Sequence, residues 1–250
     1  MNKFLLALVA FGCVASMSHA EDGASGWTGE GSLSAGFTTG NTETKDLGLG
    51  LKLNKEAGVW TYGLEAAADY GEIDGLESKN RLFAGLNVDR AINDKLFGFG
   101  RVSHERDEFT GFESRSFVGG GLGYHIYDGD KVKWTVRGGP GLKIDEVRAY
   151  DTVDVNNLPV TVPAETVNSF GAVAGSEYSY TFNDNVSFSN TTGVLYAKES
   201  TQLTNSAALT AALTSKISAR VSFDVRHDTD PPIGFESTDT ATRVSLVYAF

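Results

Sequence analysis

Residues 217–226 read Ile-Ser-Ala-Arg-Val-Ser-Phe-Asp-Val-Arg, and this stretch decides the fold class. Apolar and polar residues alternate in it without a break, a period of two that is typical of a β-strand with two unlike faces. Because 41% of the chain is apolar, one such stretch can arise by chance. Repetition of the pattern along the chain is therefore the stronger argument for a β-fold.

The same alternation recurs along the chain, at 46–54, 60–70, 81–89, 131–137 and 243–250. Around 95–104 both phases carry apolar residues, so the pattern does not assign the faces there. Most of the predicted strands are long enough to cross a bilayer at a tilt, which takes about 9–11 residues. We predict twelve strands, at residues 27–38, 46–54, 59–70, 80–90, 95–104, 114–126, 131–143, 167–181, 185–197, 201–213, 216–227 and 239–250.

The predicted connections form two sets of different length. Five are short, at 55–58, 91–94, 127–130, 182–184 and 214–215, and several of these contain Asn, Asp or Gly. The alternate set is mostly longer, with segments at 71–79, 105–113, 144–166 and 228–238. This asymmetry is typical of outer-membrane barrels, and an even strand count brings both termini to the short-turn side. The sequence thus predicts an all-β fold: an antiparallel up-and-down transmembrane β-barrel of about twelve strands, in one domain over residues 21–250.

The N-terminus has the layout of a secretory signal peptide over residues 1–20. A short positive region at Lys3 precedes an apolar stretch, and Ser18-His19-Ala20 fits a small-residue cleavage site. The alternative is a lipoprotein acylated at Cys13. Cleavage after Ala20 removes this single cysteine, so neither a disulfide nor thiolate chemistry is expected in the mature chain.

Charge and motifs narrow the classes of function. A net charge of −11 argues against a nucleic-acid partner. No Gly-x-Ser-x-Gly stretch and no pair of histidines at metal-binding spacing is present, so we expect neither an enzyme nor a cofactor. The acidic residues of the long connections match no known calcium loop, and solvated loops explain them better than divalent-cation sites.

The polar phase of the strands places charged side chains on the proposed inner wall. Eight are basic and five acidic, which predicts a mild preference for anions. Small inward residues such as Gly48, Gly119 and Ala208 predict free space, and hence a small conductance. A pore and a salt-bridged plug both fit this pattern. The inward set comprises Glu30, Lys52, Glu65, Asp69, Arg81, Arg115, Lys133, Arg137, Glu177, Arg220, Asp224, Arg226 and Arg243.

The last predicted strand carries a candidate assembly signal. Val244, Leu246, Tyr248 and Phe250 share one face, and Phe250 ends the chain. We interpret this face as the signal by which the barrel-assembly machinery recognises its clients. The alternative is the edge strand of a soluble sheet, although proteins rarely expose so apolar an edge.

Five stretches are distinctive: Tyr178–Asp184, Ser187–Thr192, Asp230–Pro232, the closing 239–250, and Gly40–Thr44 after the first strand. Together they resemble a known family, the YdiY-like salt-induced outer-membrane proteins. The resemblance spans nearly the whole mature chain and is most specific over 176–250. That family is a domain of unknown function, so the resemblance implies a location and a fold rather than a chemistry.

Two classes of function remain open from the sequence. The first is an outer-membrane barrel that serves as a small pore or a passive structural component linked to salt or envelope stress. Its expected partners are outer-membrane lipid, lipopolysaccharide and the barrel-assembly machinery, with no prediction of oligomeric state. The second is a soluble periplasmic β-rich protein that binds a ligand.

Overall fold

The computed structural model describes residues 26–38, 44–153, 159–198, 200–232 and 235–250. The predicted signal peptide lies outside the described residues. Within them, no helix has the length and hydropathy to cross a membrane. The strands are β1 (Thr28–Thr38), β2 (Thr44–Ala57), β3 (Trp60–Ile73), β4 (Leu76–Ala91), β5 (Leu96–Asp107), β6 (Phe112–Asp128), β7 (Val132–Val147), β8 (Tyr150–Val153), β9 (Pro159–Val162), β10 (Glu165–Asn183), β11 (Val186–Ala197), β12 (Gln202–Ala212), β13 (Ile217–Asp228) and β14 (Thr238–Ala249).

Twelve of these strands close into one antiparallel barrel, in which each strand pairs with its neighbours in sequence. β8 and β9 form a separate two-stranded sheet between β7 and β10. The barrel closes where β1 pairs with β14, with Leu33 opposite Leu246. Gly29 and Phe250 exchange backbone hydrogen bonds of 2.9 and 3.0 Å at this seam. Closure leaves the barrel without a free edge.

One end of the barrel, the short-turn end, has tight connections that polar side chains hold in place. The Asn93 side-chain oxygen accepts the backbone N–H groups of Lys95 and Leu96, at 3.0 and 2.9 Å. Asn183 does the same for the turn into β11, and the Thr214 hydroxyl for the turn into β13. Such side chains satisfy backbone groups that the strands no longer pair. β1 begins and β14 ends at this end.

The opposite end, the long-loop end, departs from the sequence prediction in two places. Strands β3 and β4 run to Ile73 and from Leu76, so the predicted 71–79 loop is a two-residue turn. Asp74 and Gly75 have φ of 51° and 78°, the left-handed conformation that a tight hairpin needs. The predicted 144–166 loop is also wrong, because β7 and β10 extend into it and β8–β9 lies between them. Polar residues follow one another at these strand ends, as in Glu77–Lys79 and Asp145–Glu146, so a regular alternation does not reveal them.

The outer face of the barrel is apolar and exposed. Leu49, Leu122, Leu209 and Leu246 each expose about half of their surface, and Phe170 exposes 86%. Charged side chains occupy the inner phase instead, the reverse of a water-soluble protein. The predicted fold class is therefore confirmed: the chain forms a transmembrane β-barrel of twelve antiparallel strands.

Candidate functional site

The inner wall carries the charges on which any function of the lumen depends. All thirteen lumen charges of the sequence prediction point inward, and each forms an ion pair. These are Glu30, Lys52, Glu65, Asp69, Arg81, Arg115, Lys133, Arg137, Glu177, Arg220, Asp224, Arg226 and Arg243.

The central pair joins opposite sides of the barrel. Glu105 on β5 accepts two hydrogen bonds from the guanidinium of Arg226 on β13, at 2.7 and 2.9 Å. β5 and β13 are six strands apart in either direction around the barrel, so this pair crosses the lumen. Arg81 on β4 binds the same carboxylate from the side, at 2.6 and 2.9 Å. Glu105 is only 11% exposed, as expected for a carboxylate held between two guanidinium groups.

Further ion pairs extend this contact into a network, here called the Glu105 cluster (Asp69, Arg81, Glu105, Asp224, Arg226 and Arg243). Arg81 reaches Asp69 at 3.1 Å, and Arg243 bridges Asp69 at 3.7 Å and Asp224 at 3.2 Å. The cluster thereby connects β3, β4, β5, β13 and β14. Several charges that share partners hold one another in place better than isolated pairs do.

A second network, the Asp228 cluster, closes the other half of the cross-section. It contains Arg115, Lys143, Asp145, Ser200 and Asp228. Arg115 on β6 pairs with Asp228 on β13 at 2.5 Å, and Lys143 on β7 pairs with Asp145 at 2.8 Å. Ser200, in the connection between β11 and β12, accepts from Lys143 at 2.8 Å and donates to Asp228 at 2.9 Å. Both clusters contain residues of β13, so together they form one continuous layer across the lumen near the long-loop end.

Aromatic side chains fill the lumen beside β4 to β7. Phe97, Phe99 and Phe117 point inward and are 5–7% exposed. A Cβ added to the inward Gly119 or Gly123 would collide with the rings of Phe117 or Phe97. The rings of Phe117 and Phe97 lie directly against these glycines, so the free space predicted from small inward residues is occupied beside β4 to β7.

Arg137 contacts both this group of aromatic rings and the carboxylates of the lumen. Its guanidinium lies 5.7 Å from the ring centroids of both Phe97 and Phe99. It also pairs with Glu177 at 3.0 Å and with Asp89 at 3.8 Å. A cation stacked on aromatic faces and held by carboxylates is firmly placed.

The remaining inward charges lie nearer the short-turn end. Arg220 binds Glu30 through two hydrogen bonds of 2.8 Å. Lys52 and Lys133 are more than half exposed, and their pairs with Glu65 and Asp128 are loose, at 4.0 and 3.8 Å. The lumen is therefore tightly paired towards the long-loop end and open to water at the short-turn end.

Three carboxylates were assigned to the wrong place from the sequence. Glu105, Asp145 and Asp228 were expected in loops, but they lie in β5, β7 and β13 and point into the lumen. Asp89 and Lys143 also belong to the inner wall. These four acids and one base cancel the excess of three basic side chains on which the predicted anion preference rested.

Two small cavities lie in this layer. One of about 70 Å³ lies between the clusters, lined by Phe83, Glu105, Arg115, Lys143 and Gln202 among others. Another of about 40 Å³ lies nearer the mouth, beside Phe112 and Phe235. A single water needs roughly 10–15 Å³ of such space, so these cavities hold a few waters and no larger solute.

Loops from opposite sides meet above this layer. The β5–β6 connection and the β13–β14 connection line the cavity near the mouth together, through Phe109 and Thr110 on one side and Pro231 and Phe235 on the other. Gly111, with φ of 76°, packs so closely on Phe235 that an added Cβ would lie 2.7 Å from its ring. The two connections thus cover the clusters at the long-loop end.

The candidate assembly signal lies on the outer face of the last strand. Val244, Leu246 and Tyr248 are 61%, 51% and 45% exposed, and the Tyr248 and Phe250 rings stack 6.1 Å apart. Because β14 pairs with β1, this strand also closes the barrel. Recognition by the assembly machinery stays a prediction.

Comparisons with known proteins agree with the barrel. The family described as "Protein of unknown function, DUF481" matches residues 31–250. Among solved structures, a NanC porin is similar at a TM-score of 0.50 and 12% identity, over 89% of this chain and 99% of that chain. The translocator domain of the autotransporter NalP from Neisseria meningitidis is similar at 0.50 and 14%, over 90% and 88%. No curated protein matches the sequence. At these identities the likeness shows the barrel fold alone.

Proposed function

This chain belongs to the DUF481 family of proteins of unknown function, and we propose that it is an outer-membrane barrel whose lumen is closed at rest by ion pairs. In this state it is a structural, non-conducting component of the envelope. The observation that carries the proposal is the Glu105–Arg226 pair, which joins diametrically opposite strands through the lumen.

The location follows from the surface of the barrel. The exposed outward leucines need lipid, and a closed barrel satisfies its backbone groups internally as a membrane requires. We place the short-turn end, with both strand termini, in the periplasm and the long-loop end outside the cell. Outer-membrane lipid, lipopolysaccharide and the barrel-assembly machinery are then its partners. The salt-induced family name and the link to envelope stress remain predictions that nothing in the geometry of the lumen requires.

Three features close the lumen together. The Glu105 and Asp228 clusters involve seven of the twelve barrel strands and the β11–β12 connection. Phenylalanine rings fill the space beside β4 to β7, and two connections cover the clusters at the long-loop end. Each charged side chain of the two clusters has an oppositely charged partner within 4.0 Å, so none of them is left buried without a counter-charge.

A conditional pore is the second candidate. Along β10 to β12 most of the inward side chains are small, and Thr191 and Thr204 are exposed inside the barrel. Glu177 on the same wall keeps 54% of its side chain exposed. If the two clusters separated, this wall would line a narrow aqueous path. The soluble ligand-binding alternative is not favoured, because the large apolar surface points outward and the cavities hold only a few waters.

Solute flux into vesicles containing the purified barrel tests the proposal. We expect the unmodified protein to be impermeable to small sugars. The variant E105A/R226A removes both side chains of the crossing pair and is expected to admit them. The matched control is K52A/E65A, an inward ion pair at the open end, which should leave the vesicles impermeable. Equal flux through the unmodified protein and E105A/R226A would show that the pair does not close the lumen.

A further inference from the structure

A group of polar side chains lies on the outer, lipid-facing surface of the barrel. Asn190 and Thr192 on β11 and Asn205 on β12, here called the amide patch, belong to the outward phase of their strands. The outward aromatic residues of β11 are Phe188 and Tyr196, one towards each end of the strand, so the patch lies between them. Lipid chains offer no hydrogen bonds at this depth.

The patch satisfies most of its hydrogen-bonding groups by itself. Asn205 Nδ2 donates to Asn190 Oδ1 at 3.3 Å and to Thr192 Oγ1 at 2.7 Å. The Thr192 hydroxyl donates to Asn190 Oδ1, and Asn190 Nδ2 donates to Asn205 Oδ1, both at 3.2 Å. The side-chain amide of asparagine has two donor hydrogens, and its oxygen can accept two hydrogen bonds. Within the described residues, one hydrogen of Asn190 and one acceptor position of Asn205 therefore remain unused.

These two remaining groups are complementary to each other. A two-fold axis through the patch would bring the Asn190 donor of one copy to the Asn205 acceptor of the other, and the reverse contact would form by symmetry. Two outward neighbours of the patch are small, Ser176 opposite Thr192 on β10 and Ala207 opposite Asn190 on β12, so a second barrel can approach closely on the β12 side, away from Tyr178. An apolar partner would leave both groups unsatisfied, and a second copy satisfies both.

We propose that the amide patch is a self-association site through which two copies of this barrel pair side by side in the membrane. Polar side chains join membrane proteins in this way because lipid cannot replace the hydrogen bonds made between them. The interface is formed by the outer faces of β10, β11 and β12, and it does not involve the lumen.

Single-molecule photobleaching in lipid vesicles tests this proposal. Asp94→Cys, in the turn between β4 and β5, supplies one fluorophore per chain on an otherwise unchanged barrel. We expect two-step bleaching whose frequency rises with protein density. N190L/N205L should lower the association constant at least about tenfold, and the single change Asn190→Leu, which removes the unused donor, should lower it in the same direction.

The matched control is T240L/T242L, which makes the same number of polar-to-leucine changes on the outward phase of β14. It should associate as the parent does. All variants place leucine against lipid, so they should fold, as gel migration before and after heating will show. Single-step bleaching of the parent at every density, or equal association of parent and N190L/N205L, would overturn the proposal.

Discussion

The ion pair that crosses the lumen should contribute measurably to the stability of the barrel. Glu105→Gln and Arg226→Gln remove one charge each, and together they form a double-mutant cycle. The first change preserves the shape of the side chain, and the second shortens it. We expect a coupling free energy of about 2 kcal/mol between the two positions. The single changes should be unequal, because Arg226 loses its carboxylate partner in the first, whereas Glu105 keeps Arg81 in the second.

The magnitude follows from the geometry. The guanidinium and carboxylate make two parallel hydrogen bonds of 2.7 and 2.9 Å, with charge centres roughly 4 Å apart. At an effective dielectric constant of about 20 this gives a gross attraction of ~4 kcal/mol. Desolvation of both charges offsets much of it, and charge-assisted hydrogen bonds contribute a net ~1.5–3 kcal/mol. Glu105→Gln alone should cost about 3–5 kcal/mol, since it leaves Arg226 buried without its ion partner.

Urea unfolding in lipid vesicles, followed by tryptophan fluorescence, measures these free energies. The control cycle is Lys52→Gln with Glu65→Gln, whose charges are 4.0 Å apart and largely exposed. An exposed pair of this kind couples by no more than about 1 kcal/mol. If the Glu105–Arg226 coupling were no larger than that of the control, both charges would be solvated, and the reasoning for a closed lumen would be refuted.

Three further predictions concern packing, assembly and export. Gly121→Ala should destabilise the barrel by about 1–3 kcal/mol in the same unfolding assay, because its Cβ would collide with the backbone of β7. The control is Gly100→Ala, whose Cβ would meet no close neighbour, so the free energy of unfolding should hardly change. Replacing Tyr248 and Phe250 by serine should reduce heat-modifiable protein in the membrane fraction severalfold, and two serine changes in β9 should not; equal levels would argue against the assembly signal. Mass spectrometry of the exported protein should find Glu21 as its first residue, and an acylated Cys13 would instead support the lipoprotein alternative.

The strand count and barrel class could be predicted because lipid and water impose opposite demands on the two faces of each strand. This signal fails on β5, where Phe97 and Phe99 point inward and Gly98 and Gly100 point outward. Both phases then carry apolar or small residues, so the sequence did not reveal that the strand continues inward to Glu105. The Asp74-Gly75 turn was also missed, although this dipeptide favours a tight hairpin.

The arrangement of the lumen could be predicted only in part. Alternation identifies Arg81 and Arg226 as inward, but it does not say which charges meet. Glu105 and Arg226 are 121 residues apart, and they meet because twelve strands place β5 opposite β13. Pairing of this kind depends on strand number and closure rather than on any local motif. An excess of basic residues counted from the sequence is therefore a poor guide to ion selectivity.

The current through a planar lipid bilayer containing the unmodified protein tests the closed lumen most directly. The ion pairs of the two clusters are buried, so moderate salt screens them little. We predict a current indistinguishable from that of the protein-free bilayer at moderate voltage and salt, with stepwise conductance appearing for E105A/R226A. Regular conductance steps from the unmodified barrel under the same conditions would contradict a lumen closed by the Glu105 and Asp228 clusters.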